Sequence, residues 1–357
     1  MRADLAPATL PALPAEPGVS FIMPVLNEAE HLAAAVDTIL AQDYPGPKEV
    51  VLALGPSADD TTVIAERLAA ADQRIRLVHN PAGDTPTSLN LAVAATRHPV
   101  IIRVDAHSEL TADYTATGIA VLRETGAANC GGLMVARGRT ALQKAVARAY
   151  MSRIGLGGPA YHAGDEAQDA ESAYLGIYRR EVFDRLGGFD TTLRRGQDWE
   201  LNLRIREAGG RVRFDPRLQV TYWPRAAYRK VVQQFYATGT WRAEIVRRYG
   251  AKNSPRYFAP PLLVLGTAAA AASAVAEASG TLRQAPAPVR VLGRASFAPV
   301  AAYAAGILAV AATARDCAPG ERAWFAAIVP TMHLSWGAGF LRGTVTGAEQ
   351  TVDRSRT

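Results

Sequence analysis

Val100-Ile101-Ile102-Arg103-Val104-Asp105-Ala106-His107 is an apolar, β-branched run around one arginine, closed by a carboxylate and an imidazole two positions apart. The run reads as a buried strand, and Asp105 and His107 fall where it gives way to a turn. Residues two apart in extended chain lie on one side, so both can face one ligand. An acid-rich turn at a strand end often carries a divalent metal. Here the place of the second acid is taken by His107. Mg²⁺ prefers oxygen ligands, whereas Mn²⁺ accepts an imidazole. Taken alone, the stretch is also explained by Asp105 capping a turn and His107 lying exposed.

Upstream, strand-like and helix-like segments alternate. Residues 19–25, 49–54, 76–79 and 100–104 are short apolar runs that predict strands. Residues 28–42, 60–71 and 87–96 carry helical spacing, as at Leu32, Val36, Ile39 and Leu40. A β-α-β-α order predicts a parallel sheet with right-handed crossovers, and ligands then bind at the carboxyl ends of the strands. The loops after Val25, Leu54 and Val104 are therefore the places for chemistry.

The 357 residues are enough for one large or two smaller domains, and 49% hydrophobic with 20% charged excludes a disordered chain. The net charge of +6 suits nucleic acid, an anionic membrane surface or phosphate-bearing ligands. Lysine occurs only at Lys48, Lys144, Lys230 and Lys252, so nearly all of the 39 basic residues are arginine, a good bidentate phosphate ligand. Codon bias explains the arginines equally simply. Cys130 and Cys317 allow neither a disulfide framework nor a cysteine zinc site. Residues 1–17 hold Pro7, Pro11, Pro14 and Pro17 with no sustained apolar run, which predicts a disordered, extended leader rather than a signal peptide.

Composition shifts near Ser254. Three apolar segments follow, at 257–276, 296–314 and 323–341, each near the ~20 residues that a membrane helix needs. Tyr257, Trp324 and Trp336 lie near their ends, and about three membrane helices are expected within 256–343, before a tail at 344–357. Before them, 226–255 interleaves Arg229, Lys230, Arg242, Arg247 and Arg248 with Val231, Phe235, Trp241 and Ile245, the pattern of an interfacial amphipathic helix. A surface helix packed on the domain has the same pattern. Arg247, Arg248, Lys252 and Arg256 place the preceding domain on the cytoplasmic side. Arg283, Arg290 and Arg294 ask the next connection to be inside as well, which leaves the topology open.

Three further stretches carry chemistry-bearing residues. Pro24-Val25-Leu26-Asn27-Glu28 joins the first strand to the first helix, although Asn27 is also a good helix cap. Gly55-Pro56-Ser57-Ala58-Asp59-Asp60-Thr61 follows the second strand, and Ser57 and Asp59 are again cap residues. Leu186-Gly187-Gly188-Phe189-Asp190 precedes Gln197-Asp198-Trp199-Glu200-Leu201-Asn202-Leu203-Arg204, with Asp198 at a helix start where the dipole favours a carboxylate. Such a group can act as general base on a hydroxyl.

In order and spacing, V-S-F-I-M-P-V-L-N-E, G-P-S-A-D-D-T, R-V-D-A-H, L-G-G-F-D and Q-D-W-E-L-N-L-R resemble the family 2 glycosyltransferases of the GT-A fold, over about residues 19–250. The segments L-A-Q-D-Y-P, T-P-T-S-L-N and V-D-A-H are similar to the membrane-associated, succinoglycan-biosynthesis-type branch. The resemblance implies a GT-A nucleotide-diphospho-sugar transferase fold over 18–225, a mostly parallel mixed sheet flanked by helices, followed by transmembrane helices. It implies an inverting hexosyltransferase that uses a divalent metal, Mn²⁺ or Mg²⁺. The donor is a nucleotide-diphospho-sugar, UDP-glucose-like, and the acceptor a lipid-linked, polyprenyl-borne glycan in cell-envelope or exopolysaccharide synthesis. The expected place is the cytoplasmic membrane, multi-pass, with the catalytic domain facing the cytoplasm and no nucleic-acid partner.

Residue by residue, Asp105 matches the first acid of the family's D-x-D motif, which contacts ribose and metal-bound diphosphate, and His107 stands in place of the metal-ligating second acid. Asp198 matches the general base of the E-D motif, and Gln197 replaces its Glu, so the base lacks that neighbouring charge and has a lower pKa than in an Asp–Glu pair. Pro24, Asn27 and Glu28 match the nucleotide-binding first loop. The second loop departs: many members have D-D-G-S, whereas this chain has Leu54-Gly55-Pro56-Ser57, so Gly55 offers backbone contacts alone. Ser57, Asp59, Asn90, Gln197 and Trp199 join the expected donor-binding set. Gln234, Trp241 and Arg242 sit where the family has a Q-x-x-R-W-like element, in a looser, non-processive spacing that makes Arg242 a diphosphate candidate. The losses at Leu54 and His107 also suit a different protein, a catalytically silent membrane protein that binds nucleotide-sugars or glycans.

Overall fold

The computed structural model describes residues 4–156, 160–314, 317–349 and 351. The chain divides into two compact units. One comprises Met1–Arg137 and Leu156–Trp223, the other Gly138–Gly155 and Pro224–Arg356.

In chain order the elements are β1 (Val19–Val25), α1 (Leu32–Leu40), β2 (Lys48–Leu54), α2 (Thr61–Ala71), β3 (Ile75–His79), α3 (Thr85–Ala95), β4 (Val100–Arg103), β5 (Ser108–Leu110), α4 (Tyr114–Thr125) and β6 (Asn129–Ala136). Then come α5 (Ala141–Tyr150), α6 (Ala160–Ala163), β7 (Gln168–Asp169), β8 (Tyr174–Arg179), α7 (Arg180–Leu186), α8 (Gln197–Glu207) and β9 (Val212–Tyr222). The last helices are α9 (Tyr228–Tyr249), α10 (Ala259–Ala278), α11 (Thr281–Gln284), α12 (Ala287–Ala295), α13 (Phe297–Thr313) and α14 (Pro319–Thr346).

Among the described residues nine strands form one mixed sheet, ordered β3-β2-β1-β4-β8-β6-β9-β5, with β7 added on β9. Three pairings follow the expected parallel series, β1 with β2 and β4, and β2 with β3. β8 runs antiparallel between β4 and β6. Buried Val19, Phe21, Met23, Val50, Leu52, Val100 and Ile102 face α1 and α4, while Ile22, Val51, Ala53 and Ile101 face α3, α7 and α8. Helices on both faces explain why these strands are apolar throughout rather than alternating. In α1 the buried positions Leu32, Ala35, Val36 and Ile39 trace one helical face. β1, β2 and β4 run parallel, so their carboxyl ends gather on one edge.

Residues 4–17 differ from the expected disordered leader. Leu5 is fully buried beside Ile22, Val51 and Ile205, and its N–H donates to Ala208 O at 2.7 Å. Arg179 donates to Pro11 O and Tyr44 to Pro17 O. Pro7 opens a single 3-10 turn at Pro7–Thr9, and the strap's few leucines supply the anchor. Residues 1–3 of that leader lie outside the described residues.

In the second unit, α9 lies where the amphipathic helix is expected and buries Val231, Phe235, Trp241 and Ile245. It crosses α14 at very short range: a Cβ on Gly339 would sit 2.0 Å from Tyr236 O, and one on Gly239 1.9 Å from Trp336 O. Glycine is what lets the two backbones approach. Two stretches, Pro255–Ala278 and Ala287–Thr313, are long and apolar enough to cross a membrane, and only 11% of either window is buried within the protein. The third expected segment lies in α14, whose residues Phe325, Ile328, Val329, Met332 and Phe340 are buried against neighbouring helices of this unit. The arginines that confuse the topology are partly neutralised. Arg294 and Arg283 pair with Glu277 at 3.0 and 3.5 Å, and Arg290 caps the carbonyls of Arg283 and Ala285. Of the expected tail, 350 and 352–357 lie outside the described residues.

Candidate active site

Three strand ends and one helix start build the site. Asn27 follows β1 with φ of 54°, a left-handed conformation that asparagine tolerates better than most residues. It caps no helix. Its N–H donates to Ser57 Oγ at 3.0 Å, and its Oδ1 accepts from Ala58 N at 2.8 Å. Glu28 N donates to Thr61 Oγ1 at 2.8 Å and Ala29 N to Asp59 Oδ2 at 3.2 Å. The first and second loops are therefore stitched together, with Ser57, Asp59 and Thr61 as the thread. Burial pushes the Asp59 carboxyl up, but bonds from Thr61 and Ala29 outweigh it and hold the group below the usual carboxylate range. Gly55 N bonds Val25 O at 2.8 Å, and Pro24 pairs with Ala53 in the sheet.

At the end of β4, Arg103 is buried at 6% exposure. Its Nε and Nη2 donate to Asp105 Oδ1 at 3.1 and 2.9 Å, and its Nη1 donates to Asp198 Oδ1. One guanidinium thus joins the two carboxylates that matter most in the sequence reading. Burial would raise Asp105, yet Arg103 and His107 hold it below the ordinary range. Asp198 goes the other way. Its desolvating surroundings raise it, Arg103 offsets only part of this, and Asp105 adds to the rise, although 37% of its side chain still meets solvent. The like charge that Gln197 does not bring is thus supplied by Asp105. The same pair holds the Arg103 guanidinium protonated against its burial.

Asp198 is the second residue of α8, which follows Gly196 in the left-handed conformation at φ 80°. Gln197 and Trp199 flank it and are buried. Below, Asn129 Nδ2 donates to Asn202 Oδ1 at 2.6 Å and Asn202 Nδ2 to Ser172 Oγ at 2.9 Å, which anchors the helix to β6. Asn90, expected to bind donor, instead exchanges two 2.8 Å bonds with the backbone of Phe189. Arg204 adds bonds to Leu186 O and Gly188 O. A Cβ on Gly188 would lie 2.3 Å from Asn90 Oδ1, so the L-G-G-F turn is the clamp that seats α8.

His107 is 4% exposed. Its Nδ1 lies 3.3 Å from Glu28 Oε1, and its ring meets Tyr222 edge to face at 5.5 Å. No cluster of three or more His, Cys, Asp and Glu suited to a metal occurs among the described residues. Asp105 and His107 offer one carboxylate and one imidazole. The stretch from Asp105 to His107 is a turn, with Ser108 N bonding Asp105 O at 2.9 Å, rather than the extended chain expected. By donor chemistry, one carboxylate and one imidazole suit a divalent ion that takes its other ligands from diphosphate oxygens and water. Trp241 and Arg242 belong to the second unit. There Trp241 Nε1 donates to Thr351 O at 3.1 Å, and Arg242 stacks over the Tyr257 ring at 4.1 Å.

Arg103 and Glu28 as partners of the two motifs escaped the sequence reading. A charge directly before the V-D-A-H segment, inside an otherwise apolar strand, is the one signal that could have exposed Arg103.

A model of glycosyl transferase family 2 matches residues 20–187. The succinoglycan biosynthesis protein ExoA of Rhizobium meliloti (strain 1021) is 30% identical over 326 residues, covering 90% of this chain and 93% of its own length. A Methanococcus voltae enzyme, dolichyl N-acetyl-alpha-D-glucosaminyl phosphate 3-beta-D-2,3-diacetamido-2,3-dideoxy-beta-D-glucuronosyltransferase, is 21% identical over 239 residues, with 64% of this chain and 74% of its own covered. Among solved structures, a mannosyltransferase from Pyrobaculum calidifontis in complex with GDP-mannose and Mn²⁺ aligns with a TM-score of 0.61 at 20% identity, over 96% of this chain and 89% of its own. That likeness shows the GT-A fold. The order of sheet and loops, the match to the family model and the near full-length identity agree: this chain belongs to glycosyl transferase family 2, in its ExoA-like branch.

Proposed function

We propose that the chain is an inverting, metal-dependent glycosyltransferase. It moves a sugar from a nucleotide-diphospho-sugar to a hydroxyl of a polyprenyl-linked glycan at the cytoplasmic face of a membrane, in exopolysaccharide or envelope synthesis. The observation that carries this reading is the Arg103 bridge, which sets Asp105 beside Asp198 at the carboxyl edge of the sheet. A donor-side acid and an acceptor-side acid are then within one guanidinium of each other.

In the reaction the acceptor oxygen bonds to the anomeric carbon from the face opposite the leaving group. The bond from that carbon to the diphosphate oxygen breaks, and the acceptor proton passes to Asp198. A partly exposed carboxylate with a raised proton affinity, open to an acceptor, is suited to that task. A divalent metal held by Asp105 and His107 would neutralise charge on the departing diphosphate. Arg103 keeps Asp105 ionised and correctly placed throughout. The loop pair stitched by Asn27, Ser57 and Asp59 forms the floor for the nucleoside, and Gly55 brings no acid to the base. The Mn²⁺ in the mannosyltransferase neighbour and the glycan and lipid-linked chemistry in the names of the two relatives support metal, donor and acceptor class. The two apolar stretches support the membrane.

The test is a donor screen on full-length protein in detergent, with UDP- and GDP-sugars, with Mn²⁺ or Mg²⁺ and with chelator. Metal-dependent transfer with inversion is expected. Nucleotide-sugar binding without transfer or hydrolysis under any condition would instead assign a silent binding protein.

A further inference from the structure

His107 replaces a carboxylate in the metal motif, and a neutral imidazole brings no negative charge. A carboxylate stands directly beside it. Glu28 and His107 are each only 5% exposed at the side chain, with Oε1 and Nδ1 3.3 Å apart. Both side chains are enclosed by the protein. Glu28 is fixed through its backbone, since its N–H bonds Thr61 Oγ1 and its carbonyl accepts from His31 and Leu32 at 3.0 and 2.9 Å as α1 begins. His107 is walled by the Tyr222 ring.

Metal-binding imidazoles are commonly backed by a carboxylate, which fixes the tautomer and ring orientation and strengthens the ligand. Such an arrangement also places a second negative charge close to the ion. We propose that Glu28 is the positioning residue of the metal site. It orients His107 for a divalent cation shared with Asp105, and it supplies from behind the imidazole the charge that a second motif acid would bring. Glu28 does not touch the metal in this role, and its contribution passes through His107. The inference rests on the glycosyltransferase reading and on Asp105 and His107 as the ligands.

The experiment counts Mn²⁺ bound to the full-length protein in detergent, by loss of the free-ion EPR signal, with excess UDP and separately with excess GDP. Wild type, Glu28→Gln, His107→Asp and the double variant are compared, with unfolding temperatures measured alongside. Glu28→Gln is nearly isosteric. It is expected to weaken Mn²⁺ binding by about 10- to 100-fold. In the His107→Asp background the same change should cause no loss, because no imidazole remains to be positioned. An unchanged Mn²⁺ affinity in Glu28→Gln would overturn the proposal, and so would an equal loss in both backgrounds, which would mark a general role in the first loop. No nucleotide-dependent Mn²⁺ binding in wild type would instead remove the metal site itself, and this role with it.

Discussion

Arg103 and Asp198 lie 95 residues apart in the chain and meet as an ion pair, with the arginine supplied by the end of β4 and the acid by the first turn of α8. The arginine is simultaneously bound to Asp105. A change in its charge therefore acts on both ends of the reaction.

As the proposed base, Asp198 would work only when ionised; desolvation raises its proton affinity, Arg103 offsets part of this and Asp105 adds to the rise. Activity should accordingly fall on the acid side, as pH drops through a value above the ordinary carboxylate pKa of about 4, and hold on the alkaline side of it. Arg103→Met removes the cation that lowers this value. The acid limb of kcat/KM should then move to higher pH. A limb that stays in place would belong to another group.

Asp198→Asn keeps the shape of the side chain and abolishes its basicity. The turnover number should fall by about 10²- to 10⁴-fold, while donor binding measured by calorimetry remains within a few-fold of wild type. Full activity in this variant would remove Asp198 from the role of base.

The Asp105–His107 donor set predicts loss of transfer in chelator and better recovery with Mn²⁺ than with Mg²⁺. His107→Asp turns the pair into two acids and should shift the preference toward Mg²⁺. The ratio of the two metal-activated rates, measured in both proteins, checks this.

Asn90 spends its side chain on Phe189. Asn90→Ala should leave the donor KM almost unchanged and lower the stability of the catalytic unit by about 1–3 kcal/mol. Thermal unfolding and donor kinetics on the same sample separate this from a direct donor contact.

Glu49 is 4% exposed and accepts bonds from Ser20 Oγ and Arg97 N at 2.7 and 2.6 Å. Burial raises its pKa, but these partners outweigh burial and depress it. A depressed carboxylate stabilises above its unfolded pKa, and the contribution disappears as pH falls through the lower, folded value. Glu49→Gln should cost about 1–2 kcal/mol near neutral pH. The gap from wild type should close in strongly acidic buffer, and unfolding curves at several pH values would show it.

The parallel strands were legible because covered strands are apolar on both faces, and the runs at β1, β2 and β4 left no other reading. Asp105 and Asp198 were legible because each stands where a strand or helix ends. Their connection was not, since nothing local marks Arg103 as the partner of a residue so far along the chain. The pairing of Glu28 with His107 was hidden for the same reason. Asn90 ends a recognisable motif, and its two bonds to the Phe189 backbone are a structural use that no local pattern announces. The proline-spaced strap at 4–17 read as disordered because its apolar residues form no sustained run, yet buried Leu5, with Leu10 and Leu13 packed on the core, seats it. In α14 hydropathy suggested a span. Glu321, Arg322 and Arg342 lie just outside that apolar segment, and the helix buries part of its surface on its neighbours.

The strap has a bearing on how the protein is handled. α8 presents Asp198 from its first turn, and at its other end the carbonyl of Ala208 takes the Leu5 N–H. A chain shortened to begin at Gly18 would retain every motif residue. It would nevertheless lose Leu5 from the core cluster that holds Ile22 and Ile205 and the tether at the end of α8, so a poor rate from such a protein would report on a loosened helix rather than on the chemistry.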